Sequence, residues 1–340
     1  MRIIFASYPS VTILGGGVEV QMRSLAKELQ KLGIEVDFFD PWRRYDFTSK
    51  PLIHLFAAHV GTYHLGRAFH NLGARLVVSP VFYSRHSPAY TALAVRLSLL
   101  LRRLGPVWTD YTFCHDLCHM AVRVVPNTRA EADLITRSFG VEPERVAVVP
   151  NGVDESFLDA NPELFVKRYG LRDFVLYVGH IGLARKNPLR LLRAMKGLPV
   201  PVVLIGHYVD TPYGRACLQA AKDHGQALVL PALPPGDELL KSAYAACGVF
   251  VLPSYYETPG ISALEAGLAG ARVCITKHGG TTEFFGDLVE YIEPRSEASI
   301  RSAVQLALNR PRGDALRNYV RENYLWGRAA RELSGVYEEL

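Results

Sequence analysis

The 340-residue chain lacks most features that mark specialised protein classes. Its five cysteines, Cys114, Cys118, Cys217, Cys247 and Cys274, are odd in number and scattered. That argues against a disulfide framework and fits a reducing cytoplasm. No apolar run reaches the length of a membrane span. The N-terminus, Met1-Arg-Ile-Ile-Phe-Ala-Ser-Tyr-Pro9, enters a strand-like run at once, so no signal peptide is expected. Low-complexity tracts are missing, and so is any aromatic-basic RNA-binding motif. The net charge of +5 is mild for a nucleic-acid binder. It is also uneven: residues 1–150 carry 17 Lys+Arg against 12 Asp+Glu, whereas 151–340 carry 21 of each. A basic N-terminal half favours an acidic substrate, or peripheral contact with an anionic membrane, over nucleic acid.

What is present is the composition of an ordinary globular protein, 49% hydrophobic, and a length that suits two domains. Short β-branched runs alternate with helical patterns. Strands are expected at Arg2–Ala6, Val36–Phe39, Leu52–Phe56, Leu76–Ser79, Val122–Val125 and Val146–Val149. After the proline-, asparagine- and aspartate-rich segment Pro150–Pro162, read as a linker, the rhythm restarts. Strands then fall at Phe174–Val178, Pro201–Ile205, Ala227–Leu230, Val249–Leu252, Arg272–Ile275 and Leu288–Ile292. This alternation predicts an α/β protein with two doubly wound parallel sheets facing a cleft. The expected domains are 1–155 and 156–323, with a C-terminal helix at about 324–340 packing back on the first.

The most informative stretch is Glu257-Thr-Pro-Gly-Ile-Ser-Ala-Leu-Glu265. It follows an apolar strand, turns at Pro259 and Gly260, and opens a helix at Ile261. Free backbone N–H groups and the dipole at that helix start favour phosphate, while two glutamates suit sugar and ribose hydroxyls. The local reading is a nucleotide-sugar site. Gly15-Gly16-Gly17 follows the first strand, although Val20 breaks the Gly-x-Gly-x-x-Gly fingerprint. In Gly179-His180-Ile-Gly-Leu-Ala-Arg185-Lys186-Asn187-Pro188, two adjacent cations follow a strand end. Arginine binds a diphosphate bidentately and lysine as a point charge; the plainer alternative is a solvated basic turn. Thr276-Lys-His-Gly279-Gly280-Thr281-Thr282-Glu283 either walls the pocket or forms a turn capped by Thr281 or Thr282.

Four soft ligands, Cys114, His115, Cys118 and His119, occupy six residues, yet one helical turn cannot aim all four inward. A packed helix is the better reading, and no metal is expected. His59 and His86 are the other N-terminal histidines of interest. Leu93, Leu97, Leu100, Leu101 and Leu104 form one helical stripe flanked by Arg96, Arg102 and Arg103. Core packing is its default meaning, and a lipid-facing basic amphipathic helix its sharper one.

Taken in order, these motifs resemble the retaining family 4 glycosyltransferases of the GT-B fold, over nearly the whole chain. The resemblance rests on Gly16-Gly17-Val18-Glu19, Val149-Pro150-Asn151-Gly152-Val153-Asp154, Gly179 to Lys186-Asn187, Glu257 to Glu265-Ala266, and Gly279-Gly280 with Glu283. It implies that Lys186 contacts the donor diphosphate. Glu257, with the Pro259, Gly260, Ile261 and Ser262 turn, would bind the donor sugar, and Glu265 the ribose. Gly16 and Gly17 would lie near the phosphates from the opposite domain. No cofactor or metal is implied, the substrate being a UDP- or GDP-linked sugar.

Two positions depart from the family pattern. The usual Gly-Arg pair is Gly179-His180, so Arg185 or a protonated His180 is expected to meet the diphosphate. Where many members have a histidine after the fourth strand, this chain reads Pro80-Val81-Phe82-Tyr83. With His54-Leu55-Phe56 upstream, that pattern resembles bacterial and archaeal surface-polysaccharide transferases. The expected activity is retaining sugar transfer to a glycan or lipid-linked acceptor, in the cytoplasm or at the inner membrane face. The rivals are a nucleotide-sugar 2-epimerase and a non-catalytic sugar-nucleotide-binding protein.

Overall fold

Two parallel sheets organise the chain in the computed structural model, which describes residues 1–340 apart from the side chain of Leu14. By packing, Met1–Asn151 and Trp326–Leu340 form one compact unit, and Gly152–Leu325 a second.

The first unit holds β1 (Arg2–Ala6), β2 (Glu35–Phe38), β3 (Leu52–Phe56), β4 (Arg75–Ser79) and β5 (Arg123–Val124), in the order β2-β1-β3-β4-β5. Its helices are α1 (Val11–Leu14), α2 (Gly17–Lys31), α3 (Val60–Asn71), α4 (Pro88–Leu101), α5 (Asp110–Met120) and α6 (Arg129–Phe139). Every residue of β3 is buried, as a parallel strand covered on both faces requires. The expected strand at Val146–Val149 does not form, and a single bridge pairs Val146 with Val124. Val149 donates to the carbonyl of Pro126, but Pro126 has no N–H to return, so the ladder stops.

The second unit holds β6 (Val175–Val178), β7 (Val202–Ile205), β8 (Ala227–Leu230), β9 (Val249–Leu252), β10 (Arg272–Thr276) and β11 (Glu290–Ile292). Their order is β11-β10-β9-β6-β7-β8, and every pair is parallel. Helices α7 (Glu163–Tyr169), α8 (Pro188–Met195), α9 (Pro212–His224), α10 (Glu238–Ala246), α11 (Ile261–Leu268), α12 (Thr281–Phe285), α13 (Glu297–Asn309) and α14 (Ala315–Asn323) connect and cover the strands. The chain grows from β6 to one side, then returns to start β9 on its other side. Loops after β6 and β9 therefore diverge at the carboxyl edge, where such sheets bind ligands. The segment Pro150–Pro162 is not a free linker: Val153 donates to the Tyr324 carbonyl, and Phe157 sits in the core of this unit.

The last helix, α15 (Trp326–Glu338), belongs to the first unit and packs on α2. Its Tyr337 hydroxyl meets Nδ1 of His54, a fully buried residue of β3 whose Nε2 lies 2.9 Å from the Ser79 hydroxyl. Arg75 on β4 donates to the Leu340 carbonyl at 2.6 Å, and Arg123 on β5 pairs with Glu339. The polar His54 in an otherwise apolar strand is thus the anchor of the C-terminal helix.

Helix α5 sends Cys114 and Cys118 into the core, while His115 pairs with Asp116 and His119 with the Phe139 carbonyl. The four soft side chains share no focus. Among the described residues, no group of three His, Cys, Asp or Glu side chains is placed to hold a metal ion. Helix α4 overturns the default reading of the leucine stripe. Its buried positions are Thr91, Val95 and Ser98, and the leucines point outward. Thr91 and Ser98 are tolerated inside because the helix rests on the polar Ser84 hydroxyl and on neighbouring helices α5 and α6 rather than on the sheet.

Burial holds the His54 imidazole neutral, its pKa pushed down to about 3. The unfolded chain binds that proton below about 6.5, so the stability His54 contributes is full above that pH and drains away toward pH 3. Unfolding measured in denaturant should show a loss of about 2 kcal/mol between pH 7 and pH 5 from this group. His54→Gln should be less stable at pH 7 but flatter over that range. An equal slope in both proteins would contradict the assignment.

Candidate functional site

The loop after β6 runs over Gly179 and His180 and enters a short 3-10 turn, Ala184–Lys186. Gly179 passes so close to the end of β7 that a side chain at Gly206 would put its Cβ 1.7 Å from the Gly179 carbonyl oxygen. Asn187 follows in the left-handed region (φ 61°), directly before Pro188 at the start of α8. Its buried amide donates to the carbonyls of Pro253 at 3.0 Å and Pro294 at 2.7 Å. One side chain therefore ties the loop after β6 to the loops after β9 and β11.

That tie presents Lys186 to Glu257. The Lys186 Nζ donates to Glu257 Oε1 at 2.6 Å, with the two side chains 17% and 7% exposed. Arg185 Nη1 lies 3.9 Å from the same oxygen, donates to the Tyr256 carbonyl at 3.0 Å, and stacks its guanidinium over the Tyr256 ring. Burial pushes the Glu257 carboxyl up, but the Lys186 and Arg185 charges outweigh it and hold the carboxyl below its ordinary range. Burial lowers the Lys186 ammonium, and Glu257 only partly offsets that. The pair is charged, nearly dry, and keeps further ammonium protons and a second carboxylate oxygen available to other partners.

The double glycine after β10 does not merely line this region. The Glu257 N–H donates to the His278 carbonyl at 3.1 Å, and Gly280 N–H donates back to the Glu257 carbonyl at 2.9 Å. Gly279 between them has φ 100°, and a Cβ there would stand 2.0 Å from the Glu257 oxygen. Only glycine permits this clamp. The cap of α12 is Gly280 rather than Thr281 or Thr282. The Thr281 hydroxyl instead donates to the Thr276 carbonyl at 2.7 Å.

Pro259 and Gly260 (φ 87°) turn the chain into α11, whose first N–H groups, at Ile261 and Ser262, have no carbonyl one turn earlier to bond. Glu265 lies one turn further on and accepts from the Tyr244 hydroxyl at 2.7 Å. Its carboxyl is pushed up to about 7, by burial first and by the nearby Asp154 charge, with the Tyr244 bond opposing. His180 presents its backbone carbonyl to the Tyr177 hydroxyl at 2.9 Å, and its ring stacks near His207. Gly16 and Gly17 belong to the other unit, where Gly15 (φ 64°) and Gly16 (φ 118°) turn the chain into α2.

In the second unit, then, the structure gathers His180, Arg185, Lys186, Glu257, Pro259, Gly260, Ile261, Ser262 and Glu265 on the loops that leave β6 and β9. Reading the sequence missed Asn187 and Tyr244 as supports. An asparagine directly before a proline that opens a helix was a signal for the first. A tyrosine on a distant helix gave none for the second.

Comparison with known proteins gives the same division. A family profile described as Glycosyl transferases group 1 matches residues 166–325, and one described as Glycosyltransferase Family 4 matches residues 52–157. A D-inositol 3-phosphate glycosyltransferase from Geodermatophilus obscurus is 33% identical over 207 residues, 56% of this chain and 46% of that protein. The chain spans about half the length of the curated relatives it matches. Among solved structures, sucrose-phosphate synthase from Thermosynechococcus elongatus has a TM-score of 0.79 at 18% identity, covering 100% of this chain and 98% of that one. HepE from Anabaena, in complex with UDP and glucose, has a TM-score of 0.70 at 17% identity, covering 100% of both chains. With two successive family profiles and two Rossmann-like parallel-sheet units of this kind, the chain belongs to the GT-B-fold glycosyltransferases of family 4 and group 1.

Proposed function

We propose that the protein is a retaining glycosyltransferase that moves a sugar from a nucleoside-diphosphate sugar to a glycan or lipid-linked acceptor. One observation carries this reading: the buried Lys186–Glu257 pair, set beside the N-terminus of α11 on the loops flanking β6 and β9. Glu257 offers its second carboxylate oxygen to donor-sugar hydroxyls. Lys186 and Arg185, with the Ile261 and Ser262 N–H groups, offset charge that builds on the departing diphosphate. Glu265 accepts from the ribose hydroxyls. Transfer forms the bond from acceptor oxygen to the anomeric carbon on the face that the phosphate leaves. The bond from that carbon to the phosphate oxygen breaks, and the acceptor proton passes to the leaving phosphate. Positioning and electrostatics supply the catalysis, with these cations in the role a metal plays elsewhere. A UDP- or GDP-linked donor is proposed.

Incubation with nucleotide sugars separates this reading from its rivals. Free nucleoside diphosphate with a new glycoside supports transfer; an isomerised donor means a 2-epimerase; binding without turnover means a sugar-nucleotide-binding protein.

Glu257→Gln should cut turnover by about 10²–10³-fold, the usual effect of losing one preorganised electrostatic contact, while nucleoside diphosphate still binds. Loss of both would contradict the role given to Glu257. Gly279→Ala should reproduce the turnover defect without touching any substrate, because it displaces the Glu257 backbone.

Near neutral pH the Glu265 carboxyl is half protonated in the free protein, and ribose donors favour its charged form. Calorimetry of UDP or GDP binding at pH 7 in buffers of different ionisation enthalpy should show release of up to about half a proton. Glu265→Gln should remove that share, leaving only what the nucleotide phosphate itself releases. Release that is unchanged in Glu265→Gln would contradict the assignment of this proton to Glu265.

A further inference from the structure

Helix α4 is built inside out. Its inner face carries Thr91 at 0%, Val95 at 2% and Ser98 at 8% exposure, whereas Leu93, Leu97, Leu100 and Leu104 stand 64%, 54%, 56% and 85% exposed. Spacings of four, three and four residues put these leucines on one ridge along the helix and the turn that follows it. Tyr90 opens the ridge at 54% exposure, and Trp108 lies just beyond it at 39%. Aromatic residues at the ends of an apolar face suit the boundary between water and lipid. The helix is held rigidly from behind. Ser87 caps its start by accepting from the Tyr90 N–H, Ser84 reaches Thr91, and the Ser138 hydroxyl of α6 donates to the Pro88 carbonyl. Arg102, at its end, pairs with Asp116 at 2.7 Å and lies over the Trp108 ring. The ridge is therefore a fixed surface rather than a frayed segment.

Charge selects the occupant. Between Asp46 and Asp110 the sequence contains no Asp or Glu, but it has Lys50, Arg67, Arg75, Arg85, Arg96, Arg102 and Arg103. Arg85, Arg96 and Arg103 are exposed around the ridge, and among the described residues none of them has a carboxylate within ion-pair distance. A second copy of this chain would bring the same positive field to the same place and be repelled. We propose that the α4 ridge is a docking surface for an anionic lipid bilayer, with the leucines and Trp108 seated at the headgroup boundary and Arg85, Arg96 and Arg103 against lipid phosphates. Such binding combines buried apolar area with attraction to anionic lipid. It stands on α4 and the segments flanking it, and does not depend on the sugar-transfer reading.

Flotation of the full chain with vesicles tests the proposal. One set is phosphatidylcholine alone and the other contains phosphatidylglycerol as well. Wild-type protein should float with the phosphatidylglycerol vesicles, less so as salt rises, and weakly or not at all with phosphatidylcholine alone. Arg96→Gln with Arg103→Gln should weaken that binding about 25-fold, at roughly fivefold for each cation near an anionic surface. Leu93→Ser, Leu97→Ser and Leu100→Ser together should abolish it. All five residues are exposed, so folding and nucleotide binding should be unchanged in both variants. Equal flotation of wild type and the leucine variant would overturn the proposal, as would no wild-type flotation. So would a concentration-dependent dimer in sedimentation, without lipid binding, that the leucine variant dissolves.

Discussion

A lysine and a glutamate buried against each other govern the second unit. Either charge alone in so dry a place would cost several kcal/mol, and removing one partner of such a pair typically costs about 3–5 kcal/mol because the other is left uncompensated. The pair therefore has to be delivered together by its two loops. Everything nearby serves that delivery: the Asn187 amide binding two carbonyls, the Arg185 guanidinium over Tyr256, and the glycine clamp on the Glu257 backbone. Well-packed apolar residues would be at least as stabilising there, so the retention of two charges points to chemistry rather than to fold.

The neighbouring carboxylate has the opposite character. Among the described residues Glu265 has a tyrosine hydroxyl and no cation at contact distance, so burial wins and its carboxyl titrates near neutrality. Two glutamates eight positions apart are thus electrostatically unlike: one fixed as an anion by Lys186, one poised to gain or lose a proton with its surroundings. This separates their work in the proposed site. Glu257 stays an acceptor at any physiological pH, while Glu265 binds hydroxyl donors best once deprotonated. In the proposed transfer neither carboxylate moves a proton.

Much of the fold was legible because parallel strands buried on both faces leave dense β-branched runs. Arg2–Ala6, Leu52–Phe56, Ala227–Leu230 and Val249–Leu252 fall where the sequence pattern puts them. Val146–Val149 has the same composition and fails, because Pro126 on the neighbouring segment cannot complete the ladder. The site was legible as residue types, in Glu257, Glu265, Arg185 and Lys186. Its central contact was not, since Lys186 and Glu257 lie 71 positions apart and only the sheet order joins them. The direction of the α4 leucines was equally hidden. Helical spacing shows that a stripe exists, but which side faces the protein depends on what the opposite face meets, here Ser84 and the α5 and α6 helices.

The most direct test of the Lys186–Glu257 pair is a double-mutant cycle on sugar-nucleotide turnover, with Lys186→Met, Glu257→Gln and both together. Residues that act as one unit are grossly non-additive, so the double variant should be about as slow as the worse single variant. Losses that multiply through the cycle would mean that the two side chains act independently, and would contradict the pair as the organising element of the site.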